Sequence, residues 1–118
     1  MSYPGVERRK HPRVNGRFVV SYRVYEEIDN IDISQTKNVS LGGMLLTTNR
    51  KFHPGTLLAI EIRLPFVSEK IHLIAKVLES KEIIKDLIYD TRLNFIEFND
   101  VCKKALDETV AYYLKKKS

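Results

Sequence analysis

Apolar side chains recur at every second residue along most of this chain, and they change to a helical spacing only near its C-terminus. The segment LLAIEIRL at Leu57–Leu64 shows the alternation most clearly, because its aliphatic residues alternate with Glu61 and Arg63. Such alternation is typical of a β-strand with one buried face. The same reasoning predicts six strands in all: Arg17–Tyr25, Ile31–Val39, Met44–Thr48, Leu57–Leu64, Ile71–Ser80 and Ile88–Phe98. The last strand is long enough to carry a bulge, and residues 81–87 are predicted to form a charged loop before it.

From Asn99 onward the apolar residues follow a spacing of four, which predicts an amphipathic helix with Asn99 as its N-cap. Six short strands and one terminal helix predict a mainly β fold, a six-stranded antiparallel β-barrel with a C-terminal α-helix. A length of 118 residues fits one domain. We divide it into an irregular N-terminal segment at 1–16, the barrel at 17–98 and the helix at 99–118.

The net charge of +5 is concentrated at the two ends of the chain. Residues 1–13 carry +3, Lys115–Lys117 carry another +3, and residues 14–114 sum to −1. An anionic partner is therefore expected at the N-terminal segment rather than across a broad basic face. The C-terminal lysines are typical of a solvated helix end.

The single cysteine, Cys102, cannot form an intramolecular disulfide, which favours a reducing, cytoplasmic location. No segment has the roughly 20 consecutive apolar residues of a membrane span, and the N-terminus lacks the apolar core of a secretory signal. His11, His53 and His72 lack metal-ligand spacing, and no catalytic motif is present. We therefore expect a binding protein without catalytic activity, cofactor or metal.

Two short motifs remain as candidates for binding. Arg8, Arg9 and Arg13 form an RRxxxR pattern, in which two planar guanidiniums can pair with phosphate oxygens or with the O6 and N7 edge of guanine. The second motif, NxSxxG, comprises Asn38, Ser40 and Gly43 at the end of a predicted strand.

Strand alternation predicts that the amide of Asn38 and the hydroxyl of Ser40 share a face with their polar atoms outward. Gly43 allows a positive φ or a close backbone approach. Each motif alone is also compatible with an ordinary solvated segment or a polar turn.

Taken together, the two motifs, the six strands and the trailing helix resemble the PilZ domain family, whose members bind the bacterial second messenger cyclic di-GMP. The resemblance extends from about Glu7 to the helix and implies a PilZ-like, split-barrel fold. It implies that Arg9 and Arg13 clasp phosphates and guanines, while Asn38, Ser40 and Gly43 hold a guanine against the barrel. It also implies that Arg8 favours an intercalated ligand pair.

The chain departs from many relatives near its last strand, where Arg92 and Leu93 stand in place of a small residue. Arg92 is either a further ligand contact or a solvated strand residue. The resemblance leads us to expect a cyclic di-GMP receptor that signals when ligand orders its arginine segment onto the barrel. Its partners would be the ligand and a downstream protein, with a homodimer as a further option.

Three alternatives stay open. The chain could be a degenerate PilZ-fold module that binds only protein. It could be a single-stranded nucleic-acid binder, although the charge of −1 over residues 14–114 argues against DNA or RNA. A hydrolase is the third option.

Overall fold

The chain forms a closed, six-stranded antiparallel barrel followed by one helix in a computed structural model, which describes residues 13–116. Going round the barrel, the strands lie in the order β1, β2, β3, β6, β5, β4. This architecture confirms the predicted fold. The elements are β1 at Val19–Val24, β2 at Asp32–Val39, β3 at Gly43–Thr48, β4 at Leu57–Ile62, β5 at Ile71–Ile84, β6 at Ile88–Glu97 and α1 at Asp100–Lys116.

The two-residue alternation directs one apolar row of each strand into the barrel. On β4, Leu58, Ile60 and Ile62 are at most 2% exposed, while the residues between them are half-buried. On β5, Ile71, Leu73, Ala75 and Val77 all lie inside, as the sequence predicts. Burying each large aliphatic side chain stabilises the fold by roughly 1.5–3 kcal/mol, so the alternating pattern determines which face of each strand points inward.

Helix α1 begins where the sequence predicts, because the Asn99 Oδ1 accepts a hydrogen bond from the backbone N–H of Cys102 at 2.8 Å. The helix packs Cys102 and Leu106 into the core, and the ring of Tyr113 meets that of Phe18 edge to face. Within residues 13–116, we find no helix with the length and apolar character needed to cross a bilayer.

The predicted loop at 81–87 is wrong over residues 81–84, which belong to β5, and only residues 85–87 form a turn. Strand β5 continues to Ile84, pairs with Ile88 and turns back through Asp86, which has a φ of 58°. A carboxylate oxygen of Glu82 accepts the Asp86 N–H at 3.0 Å and holds the turn. Residues 81–84 are all exposed and show no apolar alternation, so sequence reasoning had no pattern from which to detect this part of the strand. Register shifts between β5 and β6 confirm the predicted bulging.

The last four residues of the predicted irregular segment, 13–16, are fixed to the barrel. Val14 pairs with Val39 through two backbone hydrogen bonds of 2.9 and 3.0 Å. Further along, Thr36 Oγ1 donates to the carbonyl of Gly16 and accepts the N–H of Phe18. The chain thus runs along the end of β2 before it enters β1. Residues 1–12 lie outside the described part.

Candidate ligand-binding site

The backbone pairing of Val14 with Val39 brings parts of the two sequence motifs together. Arg13 precedes Val14, while Asn38 and Ser40 stand on either side of Val39. Both valine side chains are fully buried, so Arg13 and Asn38, which are next to them in the extended chains, turn away from the barrel interior. Arg13 and Asn38 are accordingly half-buried rather than inside. Two motifs 25 residues apart in sequence therefore meet at one end of β2.

Ser40 acts inside the turn between β2 and β3. Its Oγ accepts hydrogen bonds from the backbone N–H groups of Gly42 and Gly43, both at 3.1 Å, and the side chain is almost fully buried. The predicted outward hydroxyl is therefore wrong. Strand β2 ends at Val39 with a register shift between Thr36 and Asn38, so the alternation that the prediction assumes does not extend to Ser40.

Gly43 is required by a close approach between β3 and β6. A Cβ at this position would collide with the backbone carbonyl of Leu93. Among the described glycines only Gly55 has a positive φ, so the close approach, and not a positive φ, explains Gly43. The motif glycine lets β3 lie tightly against its neighbour at the edge of the site.

Asn38 carries the polar atom that a ligand could use. Its Oδ1 is shielded from solvent, and no described group donates a hydrogen bond to it. A buried acceptor without a donor costs about 1–3 kcal/mol, so a guanine N–H that gains access to this oxygen would recover that free energy. The structure brings together Arg13, Asn38, Ser40 and Gly43; Arg8 and Arg9 lie outside the described residues.

The fold and motif geometry agree with a comparison against known families. A family model described as the PilZ domain matches residues 7–111. The chain belongs to the PilZ domain family. No curated protein matched the chain.

Solved structures share the PilZ fold at low sequence identity. The inhibitor of motility MotI/DgrA of Bacillus subtilis is 21% identical with a TM-score of 0.77, over 96% of this chain and 55% of that one. This chain thus spans about half the length of the Bacillus protein. The PilZ domain of YcgR from Escherichia coli, solved with c-di-GMP, is 16% identical with a TM-score of 0.66, over 93% and 94% of the two chains. The K. pneumonia MrkH–c-di-GMP complex is 13% identical with a TM-score of 0.69, over 94% and 53%.

A groove of about 540 Å³ lies on the other wall of this PilZ barrel, over β1, β4 and β5. It contains no residue of either motif. Its cation, Arg23, already donates to the backbone carbonyls of Tyr25 and Glu27 at 2.8 and 3.1 Å. In residues 13–116, no group of His, Cys, Asp or Glu side chains could hold a metal ion. The motif end of β2 is therefore the better candidate for an anionic ligand.

Sequence reasoning missed one residue beside the candidate site, Leu45. The register places it directly opposite Asn38, and its side chain faces outward because Met44 and Leu46 on either side point into the core. It provides a half-buried apolar surface beside the amide of Asn38. The alternation of β3 reveals its direction, but only the strand register shows that Asn38 is its neighbour.

Proposed function

We propose that this PilZ domain is a receptor for cyclic di-GMP that acts by binding and catalyses no reaction. The observation that carries the proposal is the antiparallel Val14–Val39 pairing, which sets Arg13 of the arginine motif opposite Ser40 and diagonally across from Asn38 of the second motif. A cyclic dinucleotide offers phosphates and guanine edges together, so its receptor needs cations and a neutral hydrogen-bonding group at one place. We place the protein in the cytoplasm, where the free thiol of Cys102 stays reduced.

The roles of the individual residues follow from their chemistry. The guanidiniums of Arg9 and Arg13 pair with phosphate oxygens or with guanine O6 and N7. Asn38 Oδ1 accepts a guanine N–H, while Ser40 and Gly43 fix the turn that shapes the site. The E. coli and K. pneumonia relatives, which share the fold, were solved with c-di-GMP.

Binding is expected to draw the segment of Arg8 and Arg9 onto the barrel. Charge-assisted hydrogen bonds supply the free energy for that ordering, and the changed surface is then offered to a downstream protein. Because Val14 is held to β2, the change affects the residues before it. Arg8 would favour the binding of two intercalated ligands.

Calorimetric titration with cyclic di-GMP tests the proposal. Arg9→Ala and Arg13→Ala should each weaken binding roughly tenfold or more, since a hydrogen bond to a charged group contributes about 1.5–3 kcal/mol. Arg63→Ala is the matched control, because it removes one exposed arginine at the end of β4. A stoichiometry of two that falls to one in Arg8→Ala would support the intercalated pair.

Three results would contradict the proposal. Unchanged affinity in both Arg9→Ala and Arg13→Ala would show that these two arginines do not bind the ligand. A wild-type chain that does not bind would indicate a PilZ-fold module for protein interaction alone. A short oligonucleotide that competes as well as the cyclic dinucleotide would indicate a general nucleic-acid binder.

A further inference from the structure

The outer face of β3 and β6 continues the site beyond Asn38. In the strand register Asn38 stands opposite Leu45, and Leu45 stands opposite Arg92 on β6. Neighbouring strands are about 4.8 Å apart, so the backbone of Arg92 lies roughly 10 Å from that of Asn38. Asn38 and Arg92 therefore lie on opposite sides of one apolar residue, Leu45.

Arg92 has an available positive charge. It is exposed, and it forms no ion pair or side-chain hydrogen bond within the part of the chain that the structure describes, although Glu79 stands opposite it on β5. A second exposed cation, Lys76, lies in the next row opposite Asn94, and it too forms no ion pair with a described residue. By contrast, Lys37 on β2 is paired with Asp90 at 2.7 Å.

Gly43, Asn94 and Lys76 are register partners on three neighbouring strands, and the missing side chain at Gly43 gives a ligand access to these cations. Gly43 stands opposite Asn94 and has no side chain, so Leu45 is the first outward side chain of β3. A flat base could rest on Leu45 with one polar edge at Asn38, while the rest of a larger ligand extends toward β6. A single nucleotide held at Asn38 would be too small to need the cations on β6.

We propose that Arg92 binds a phosphate of the cyclic dinucleotide on the side of the site away from Asn38, with Lys76 adding positive charge beside it. The planar fork of arginine pairs with two phosphate oxygens, which a lysine ammonium at the same position would not reproduce. This inference rests on the proposed function and assigns β6 a direct part in ligand recognition. It makes the site extend across three strands, β2, β3 and β6.

Calorimetric titration with cyclic di-GMP tests this role in three variants. Arg92→Ala should weaken binding roughly ten- to a hundredfold or more, because the phosphate loses the charge-assisted hydrogen bonds of the guanidinium fork. Arg92→Lys should retain part of the affinity because it keeps the charge and loses the fork. Arg63→Ala removes the same charge from the opposite wall and should stay within about twofold of the wild type.

An NMR titration of the wild-type chain gives a second measurement that does not depend on a folded variant. The backbone amide signals of Leu45, Arg92 and Asn94 should shift on addition of cyclic di-GMP. If Arg92→Ala binds like Arg63→Ala and the β6 amides stay unshifted, while Arg13→Ala binds weakly, Arg92 is a solvated residue and the proposed function still stands. If the wild-type chain does not bind, the proposed function fails and this inference fails with it.

Discussion

Replacing Ser40 by alanine removes one oxygen that two backbone N–H groups use as their hydrogen-bond acceptor. The groups belong to Gly42 and Gly43, each 3.1 Å from the Ser40 Oγ, and the hydroxyl itself donates to the Gly43 carbonyl at 3.3 Å. Each buried N–H left without a partner costs about 1–3 kcal/mol. Gly43 is buried, whereas Gly42 is half-buried and can find water, so we expect a total loss of about 2 kcal/mol.

Thermal and urea unfolding of Ser40→Ala measure this loss. A loss of that size lowers the melting temperature of a domain of this length by roughly 5–10 °C. Ser34→Ala is the matched control, because Ser34 is a half-buried serine on β2, the strand that Ser40 follows, and its hydroxyl makes no hydrogen bond with a described residue. The control should stay within about 0.5 kcal/mol of the wild type.

The comparison separates two roles for Ser40. If Ser40→Ala is as stable as Ser34→Ala and yet binds cyclic di-GMP more weakly, the hydroxyl contacts the ligand and our assignment to the turn is wrong. If it loses stability as calculated, the serine of this motif acts by fixing the backbone between β2 and β3. The affinity for cyclic di-GMP would then fall only indirectly, to the extent that the altered turn displaces Asn38 and Gly43.

Three further results are expected. Gly43→Ala should lower the free energy of unfolding by about 1–3 kcal/mol through the clash with the Leu93 carbonyl, and an unchanged urea midpoint would contradict that close contact. Asn99→Ala should cost about 1 kcal/mol through loss of the helix cap, seen as a lower melting temperature by circular dichroism. Burial raises the pKa of Cys102 to about 11. The protonated thiol therefore stabilises the folded state fully below the ordinary thiol pKa, and this stabilisation is lost as the pH rises toward 11. Urea unfolding on both sides of that interval should show a steeper decline for wild type than for Cys102→Ala, and equal declines would refute this.

The sequence predicted the barrel well, because buried and exposed residues alternate so regularly on β4 and β5. It failed at the hairpin tip, where Lys81 to Leu87 look like a loop and only the pairing with β6 shows a strand followed by a turn. The register between two paired strands cannot be read from the sequence of either strand alone. The approach of Val14 to Val39 and the row from Asn38 to Arg92 therefore required the structure.

The prediction for Ser40 failed for a local reason. A register shift after Thr36 and the end of β2 at Val39 break the alternation just before the serine. The residue type was informative, since serine often bonds backbone groups two or three residues on, but the pattern does not distinguish a turn-forming hydroxyl from a ligand contact. For Gly43, the sequence allowed two explanations, and the carbonyl of Leu93 decides between them.

The backbone pairing of Val14 with β2 also sets the greatest distance at which the covalent chain can place Arg9 from the barrel. Arg9 precedes Val14 by five positions, which allows at most roughly 17 Å of fully extended chain. In the proposed function, so short a covalent connection makes the encounter of Arg9 with cyclic di-GMP at the end of β2 intramolecular, which corresponds to a high effective concentration. Lengthening the connection between Arg9 and Val14 with glycine and serine residues, while leaving every proposed contact residue in place, should therefore weaken the affinity for cyclic di-GMP gradually.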